Sequence, residues 1–164
     1  ICEAFSEIVR DAVEKGYAEP DPREDLLGRD VGRKGLILAR LLGYHGVAPT
    51  PEPLVPASFA RLSLEAFFKK LPSLDEGWLR RVEREAERGR VLRYVVRATA
   101  RGVSARLQAV PRDSYFGVLS GTRNRLAFTT RRYKDEPLAV GGPGAGAEVT
   151  AAGILNDIQS LAVR

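Results

Sequence analysis

Hydrophobic positions along this chain follow a helical period first and a strand period later. Phe5, Ile8, Val9, Ala12 and Val13 recur at three- and four-residue spacing, and Gly16 follows as a stop. The pattern predicts a helix over residues 3–15 with one buried face. A charged loop punctuated by prolines is expected from Tyr17 to Arg29. The next helix is predicted from Asp30 to Leu42, with Asp30 as its N-cap and Gly43 as its terminator. The proline-bearing stretch from Gly46 to Ser58 reads as irregular, and two helices follow near Leu64 to Lys70 and Leu74 to Arg88.

After Gly89 the pattern changes. Val91 to Thr99 and Val103 to Val110 read as strands joined by a short turn at Ala100-Arg101-Gly102. Arg125 to Thr130 and Leu138 to Val140 read as two more, and a glycine-rich turn from Gly141 to Gly146 leads into a last helix from Glu148 to Ala162. Helices first and strands later predict an α+β domain, with helices packed on a mixed or antiparallel β-sheet. No internal repeat is visible.

Composition narrows this picture modestly. The chain has 164 residues, 44% hydrophobic and 29% charged, a balance that allows a core and argues against wholesale disorder. No apolar run approaches the roughly 20 residues of a membrane-spanning helix, so no membrane partner is expected. Residues Ile1 to Arg10 do not read as a signal peptide. The single cysteine, Cys2, excludes an internal disulfide framework. The lone histidine, His45, follows Gly43-Tyr44 in an expected surface loop. A net charge of +5 permits contact with an anion without selecting one. The absence of methionine and the helix-interior character of the first residues suggest a fragment or a processed chain.

Candidate chemistry concentrates in residues 17–34. Glu19, Asp21, Glu24, Asp25 and Asp30 crowd a segment stiffened by Pro20 and Pro22. Such an acidic loop suits a ligand bearing an ammonium group, or a metal ion; a solvated turn leading into the next helix has the same composition. The apolar stripe of the second helix is read as Val31, Gly35, Leu38, Leu41 and Leu42, and Lys34 falls within it, four residues after Asp30. A lysine on a buried face calls for a partner, and partial burial suits a proton-transfer group. The alternative is an ordinary Asp–Lys helix pair whose lysine snorkels outward.

The string GYAEPDPREDLLGRDVGRK resembles the signature of homoserine dehydrogenases, in which a Gly-Tyr-x-Glu-Pro-Asp-Pro core leads to Asp-Val-x-Arg-Lys. A second block, FTTRRYKDEPLAVGGPGAGAEVTAAG, resembles the C-terminal segment of that family, especially in the fused aspartate kinase–homoserine dehydrogenases of plants and algae. With the intervening VLRYV, the resemblance runs nearly end to end.

The resemblance implies an enzyme that interconverts aspartate semialdehyde and homoserine with a nicotinamide cofactor, NADP or NAD. Lys34 matches the family's proton donor; Glu19, Asp25 and Asp30 match substrate-binding acids, and Tyr17 a wall of that site. Gly16, Gly144 and Gly146 match backbone positions that touch the cofactor, with Gly146 the stronger match of the last two. Residues 1–140 would form the substrate-binding and dimerisation domain. Residues 141–164 would form a turn and a helix packing on a nucleotide-binding domain upstream of Ile1, so Val149, Ile154, Leu155, Ile158 and Leu161 would have part of their partner surface elsewhere. A homodimer through Val91 to Val110 follows from the same resemblance, as does silence of the chain by itself. The plant-like block points to a plastid, whereas the chain carries no targeting segment to support it.

Departures from the family fall on the second helix. Gly32 stands where alanine is usual, and Gly35 where a larger apolar residue is usual. Each glycine should cost about 1 kcal/mol of helix stability relative to alanine, so a looser helix is expected. Ala18 for threonine and Glu24 for aspartate are mild changes.

Two competing readings carry less. Gly142-Pro-Gly144-Ala-Gly146-Ala147 fits a G-x-G-x-x-A dinucleotide fingerprint. The residues after Ala147 are too few for the helix, strand and acidic ribose partner of such a unit. A tight turn whose amides approach an anionic cofactor is the expectation instead. A non-catalytic basic module using Arg80-Arg81, Arg131-Arg132 and Lys134 would bind nucleic acid in a salt-sensitive way. It leaves the acidic loop and the Asp30–Lys34 spacing unexplained, and no nucleic-acid partner is expected.

Overall fold

A computed structural model describes residues 3–144 and 146–162; Cys2 and Ala145 of the glycine-rich turn lie outside them. The architecture is α+β. Two compact units divide it, Ile1–Pro111 and Arg112–Arg164.

The first unit opens with helix α1 (Phe5–Glu14). Its N-cap is Ala4, which has no capping side chain. The carboxylate of Asp75 takes over, accepting from the Ser6 backbone N–H at 2.8 Å and from the Ser6 hydroxyl at 2.7 Å. One orphan amide of the helix terminus is thereby satisfied from a distant segment. The C-terminus closes as expected at Gly16: the Tyr17 N–H reaches the Ala12 carbonyl and the Gly16 N–H that of Val13, a Schellman arrangement.

The stretch expected to be a plain loop contains a one-turn helix, α2 (Arg23–Leu26). Pro22 leads it, where a missing N–H costs nothing, and Leu26 fills the core. The following helix, α3 (Arg29–Leu41), starts one residue earlier than expected, and its N-cap is Gly28 rather than Asp30. Gly28 has φ +71, so the chain turns directly from α2 into α3 through a left-handed residue. Asp30 therefore sits inside the first turn, where its charge favours the positive end of the helix dipole.

Proline density in residues 46–58 led to an expectation of irregular chain. Instead Pro49–Pro51 forms strand β1, parallel to a later strand, and Ala57–Arg61 forms a 3-10 turn. The Glu52 N–H donates to the Ala105 carbonyl at 2.8 Å. By alternation, positions 49 and 51 would aim their N–H groups away from the sheet, and an edge strand accepts proline there. Helix α4 (Leu64–Lys70), capped by the Ser63 hydroxyl, runs through a 3-10 turn at Leu71–Leu74 into α5 (Asp75–Ala86).

Strands β2 (Arg90–Thr99) and β3 (Gly102–Pro111) form the expected hairpin, and the sheet order is β1-β3-β2. One core gathers Val9, Leu26, Val55, Phe59, Phe67 and Leu71, with Phe59 and Phe67 edge to face at 5.8 Å. Beside it, α3 lies on one face of the sheet over Val103 and Ala105.

The buried face of α3 is Gly32, Gly35 and Ala39. The stripe expected from periodicity is therefore corrected: Leu41 and Leu42 are exposed. A β-carbon added at Gly35 would stand 2.6 Å from Val96 Cγ1 and 2.7 Å from Val103 Cγ1. The glycine that looked like a weakness in the helix is what lets helix and sheet approach.

The second unit pairs β4 (Arg123–Phe128) with β5 (Leu138–Pro143) in an antiparallel ribbon, then continues as α6 (Ala147–Ala162). No residue of α6 is buried; Ile154, Leu155, Ile158 and Leu161 are all more than half exposed. Among the described residues, no helix is long and apolar enough to cross a membrane.

Candidate functional site

Lys34 and Asp30 lie one turn apart on α3, with Lys34 Nζ 2.7 Å from Asp30 Oδ2. The Lys34 side chain is 67% exposed and that of Asp30 34%. Placement of Lys34 within a buried stripe is thus corrected. Small residues form the face against the sheet, and Lys34 projects from the accessible side.

Asp25, on α2, joins this pair. It is half-buried, and loss of solvation pushes its carboxyl above the ordinary aspartate value. The Glu19 backbone N–H, donating to Asp25 Oδ2 at 3.3 Å, pulls the other way. The charges of Asp30 and Glu19 raise it further and that of Lys34 lowers it, so these four residues form one electrostatic group. A half-dry carboxyl among three further charged side chains can hold an ammonium group, or share a proton with a hydroxyl.

The other acids of the segment have structural partners. Asp21 is bound by the Arg23 guanidinium, which holds its carboxyl below the usual range. Glu24 accepts from Arg29 at 2.7 Å and from Arg33 at 3.2 Å, and its carboxyl is likewise lowered. The run of acids therefore divides: Asp21 and Glu24 brace the turn, whereas Asp30 pairs with Lys34, and Glu19, Asp30 and Lys34 all act electrostatically on Asp25. Among the described residues, no three His, Cys, Asp or Glu side chains gather as metal ligands.

Tyr17 is 53% exposed, immediately after the α1 terminator. Gly16 has φ +68 and nothing within 4 Å of an added β-carbon, so its backbone is open to close approach. In the second unit, Gly146 is also left-handed and open. Gly144 has a structural reason of its own: a β-carbon there would collide with the Asn124 side chain. Its N–H donates to the Thr122 carbonyl at 2.9 Å.

Sequence reading missed Gly28 and Tyr94, which shape this site from below. The Tyr94 hydroxyl donates to the Glu52 carbonyl at 2.6 Å and occupies the space a Gly28 side chain would need. The Leu-Leu-Gly at residues 26–28 is a helix-stop signal that could have revealed α2. The basic residues of the competing reading are dispersed in function: Arg80 pairs with Glu76, and Arg81 lies over the Trp78 ring at 5.8 Å.

Known proteins contain segments similar to this chain. It is 49% identical over 164 residues to the chloroplastic bifunctional aspartokinase/homoserine dehydrogenase 2 of Zea mays, covering 97% of this chain and 18% of that protein. It is 40% identical over 170 residues to the homoserine dehydrogenase of Emericella nidulans, covering 98% of this chain and 46% of that protein. A solved Candida auris protein of unknown function superposes with a TM-score of 0.87 at 37% identity, covering 100% of this chain and 47% of its own. A putative homoserine dehydrogenase from Archaeoglobus fulgidus gives 0.63 at 25% identity, covering 97% and 43%. The chain thus spans less than half the length of each of these relatives. With the homoserine dehydrogenase family model matching residues 2–159, the chain belongs to the homoserine dehydrogenase family.

Proposed function

We propose that this chain forms the substrate-binding and catalytic part of a homoserine dehydrogenase, with Lys34 as proton donor to the carbonyl oxygen of aspartate semialdehyde. The observation that carries this reading is the 2.7 Å Lys34–Asp30 pair on the open side of α3, with Asp25 and Glu19 in the same electrostatic group.

Reduction of an aldehyde builds negative charge on its oxygen. A protonated amine at that oxygen stabilises the charge as it forms and then delivers the proton. Asp30 holds the Lys34 ammonium in place from one turn below. Glu19 and Asp25 suit the ammonium group of the substrate, and Tyr17 the wall beside it, orienting the carbonyl carbon. The nicotinamide cofactor, NADP or NAD, supplies the hydride when bound. Gly16 in the first unit and Gly144 and Gly146 in the second offer backbone that such a cofactor could approach. Gly16 and Gly146 suit this better, since both are open.

The whole enzyme would be a homodimer using β2 and β3, and the exposed apolar face of α6 would lie on the nucleotide-binding part. The chain alone would be silent, because substrate and cofactor must be held together. The chloroplastic names of the plant relatives favour a plastid.

The test is homoserine oxidation, followed by nicotinamide absorbance, in a chimera that places a relative's nucleotide-binding part ahead of this chain. Activity that collapses in Lys34→Ala supports the proposal. A chimera that folds and binds cofactor, yet turns over equally well without Lys34, overturns the assigned role.

A further inference from the structure

The sheet face under α3 supports the acidic segment through one aromatic side chain. Tyr94 and Val96 of β2 lie two residues apart on that face, beneath Gly28 and Gly35. A β-carbon at Gly28 would collide with the Tyr94 hydroxyl on one side and stand 2.9 Å from Pro51 Cβ on the other. Gly28 is the left-handed residue that joins α2 to α3. The elbow between those helices is therefore seated on the Tyr94 hydroxyl.

The same hydroxyl is tied to the chain beside it. It donates to the Glu52 carbonyl at 2.6 Å, and burial together with the Glu52 charge raises its pKa, so it stays a donor. The Glu52 N–H donates to the Ala105 carbonyl of β3, and the Leu54 N–H to the Leu26 carbonyl of α2 at 2.7 Å. Residues 52–54 thus link Tyr94 to the end of α2. With only four residues, α2 lacks the length to fix its own direction. Its other brace to α3, Glu24 with Arg29 and Arg33, is exposed and screened by solvent. Asp25 lies on α2, whereas Asp30 and Lys34 lie on α3, so the angle at Gly28 governs their separation.

We infer that Tyr94 is a positioning residue for the substrate site: its hydroxyl, seated beneath Gly28, fixes the angle between α2 and α3 and so sets where Asp25 stands relative to the Asp30–Lys34 pair. The consequence for turnover rests on the homoserine dehydrogenase reading above; the placement of Asp25 does not. A carboxylate that orients a bound ammonium group loses much of its effect when displaced by a fraction of a bond length.

Tyr94→Phe keeps the ring and removes only the hydroxyl, so the variant should fold, which circular dichroism verifies. The first readout is the titration of the Asp25 carboxyl in this chain by carbon-13 NMR, assigned with Asp25→Asn. Burial is the largest cause of its raised value, ahead of the Glu19 N–H and the charges of Asp30, Glu19 and Lys34. A slackened elbow admits water, so the midpoint should fall toward the ordinary aspartate range. The second readout is homoserine kinetics in the chimera, where KM should rise about ten-fold while kcat stays within about two-fold. Ser6→Ala, which weakens the start of α1 away from this elbow, controls for lost stability and should change neither. An Asp25 midpoint equal to the parent's in folded Tyr94→Phe overturns the inference, and so does a shift that Ser6→Ala reproduces. An unchanged KM in an active, Lys34-dependent chimera overturns it too. A chimera whose activity is indifferent to Lys34→Ala sinks the assigned chemistry instead, while the Asp25 titration still decides the role of Tyr94.

Discussion

Gly35 meets Val96 across the helix–sheet contact so closely that a β-carbon would fall 2.6 Å from Val96 Cγ1. Gly32, one turn earlier, faces Pro49 Cβ at 3.4 Å, an ordinary contact distance. The two neighbouring glycines should therefore respond oppositely to alanine. Gly32→Ala should raise stability by up to about 1 kcal/mol, through helix propensity. Gly35→Ala should lower it by about 1–3 kcal/mol, because the sheet side chains must move. Urea midpoints of both variants provide the check, and equal shifts of one sign would contradict this packing.

Stability and activity should separate at Lys34. An exposed pair one helical turn apart contributes about 0.3–0.5 kcal/mol to stability. Lys34→Ala should therefore leave the unfolding midpoint nearly unchanged. Loss of a general acid lowers kcat by about 10²–10⁴, measured in the chimera described above. A variant that loses activity only in proportion to lost fold would argue for a structural lysine.

Asp25 should make a pH-dependent contribution of identifiable sign. Burial raises its folded-state pKa above the unfolded value, so the native state holds the proton more tightly. Stability from this group is full below the unfolded value and is lost as pH rises through the folded one. Asp21 and Glu24 have lowered carboxyls and act oppositely, losing their contribution as pH falls. The stability difference between Asp25→Asn and the parent should therefore grow in favour of the variant from about pH 3 to pH 7. A difference that stays flat over that range would mean that Asp25 titrates as in an unfolded chain.

The Asp75 carboxylate grips Ser6 through both the backbone N–H and the hydroxyl, and Ser6 is buried. Asp75→Ala should cost about 1–3 kcal/mol, since it leaves a buried hydroxyl and a helix-terminal amide unpaired. Ser6→Ala removes only one of the two bonds and should cost less. Thermal unfolding of the two variants gives the order, and the reverse order would mean that the hydroxyl matters more than the carboxylate.

Periodicity by itself determined α1, α4, the β2–β3 hairpin and α6. In each, local pattern and turn residues point the same way, and the stop signals at Gly16, Gly43 and Gly89 are local chemistry. The block at residues 16–34 was legible as candidate chemistry because its residue types and spacings are explicit in the chain. Tertiary structure decided what those signals could not. Strand β1 exists because β3 offers it an edge, and two prolines hid it from any propensity argument. Asp75 caps α1 from far along the chain, beyond the reach of a local rule. The buried side of α3 was misread for a related reason. Hydrophobic periodicity weighs side chains by their aversion to water, whereas a helix pressed onto a sheet selects them by volume. Glycine and alanine take the contact, the leucines at the helix end face outward, and Lys34 is left on the accessible side.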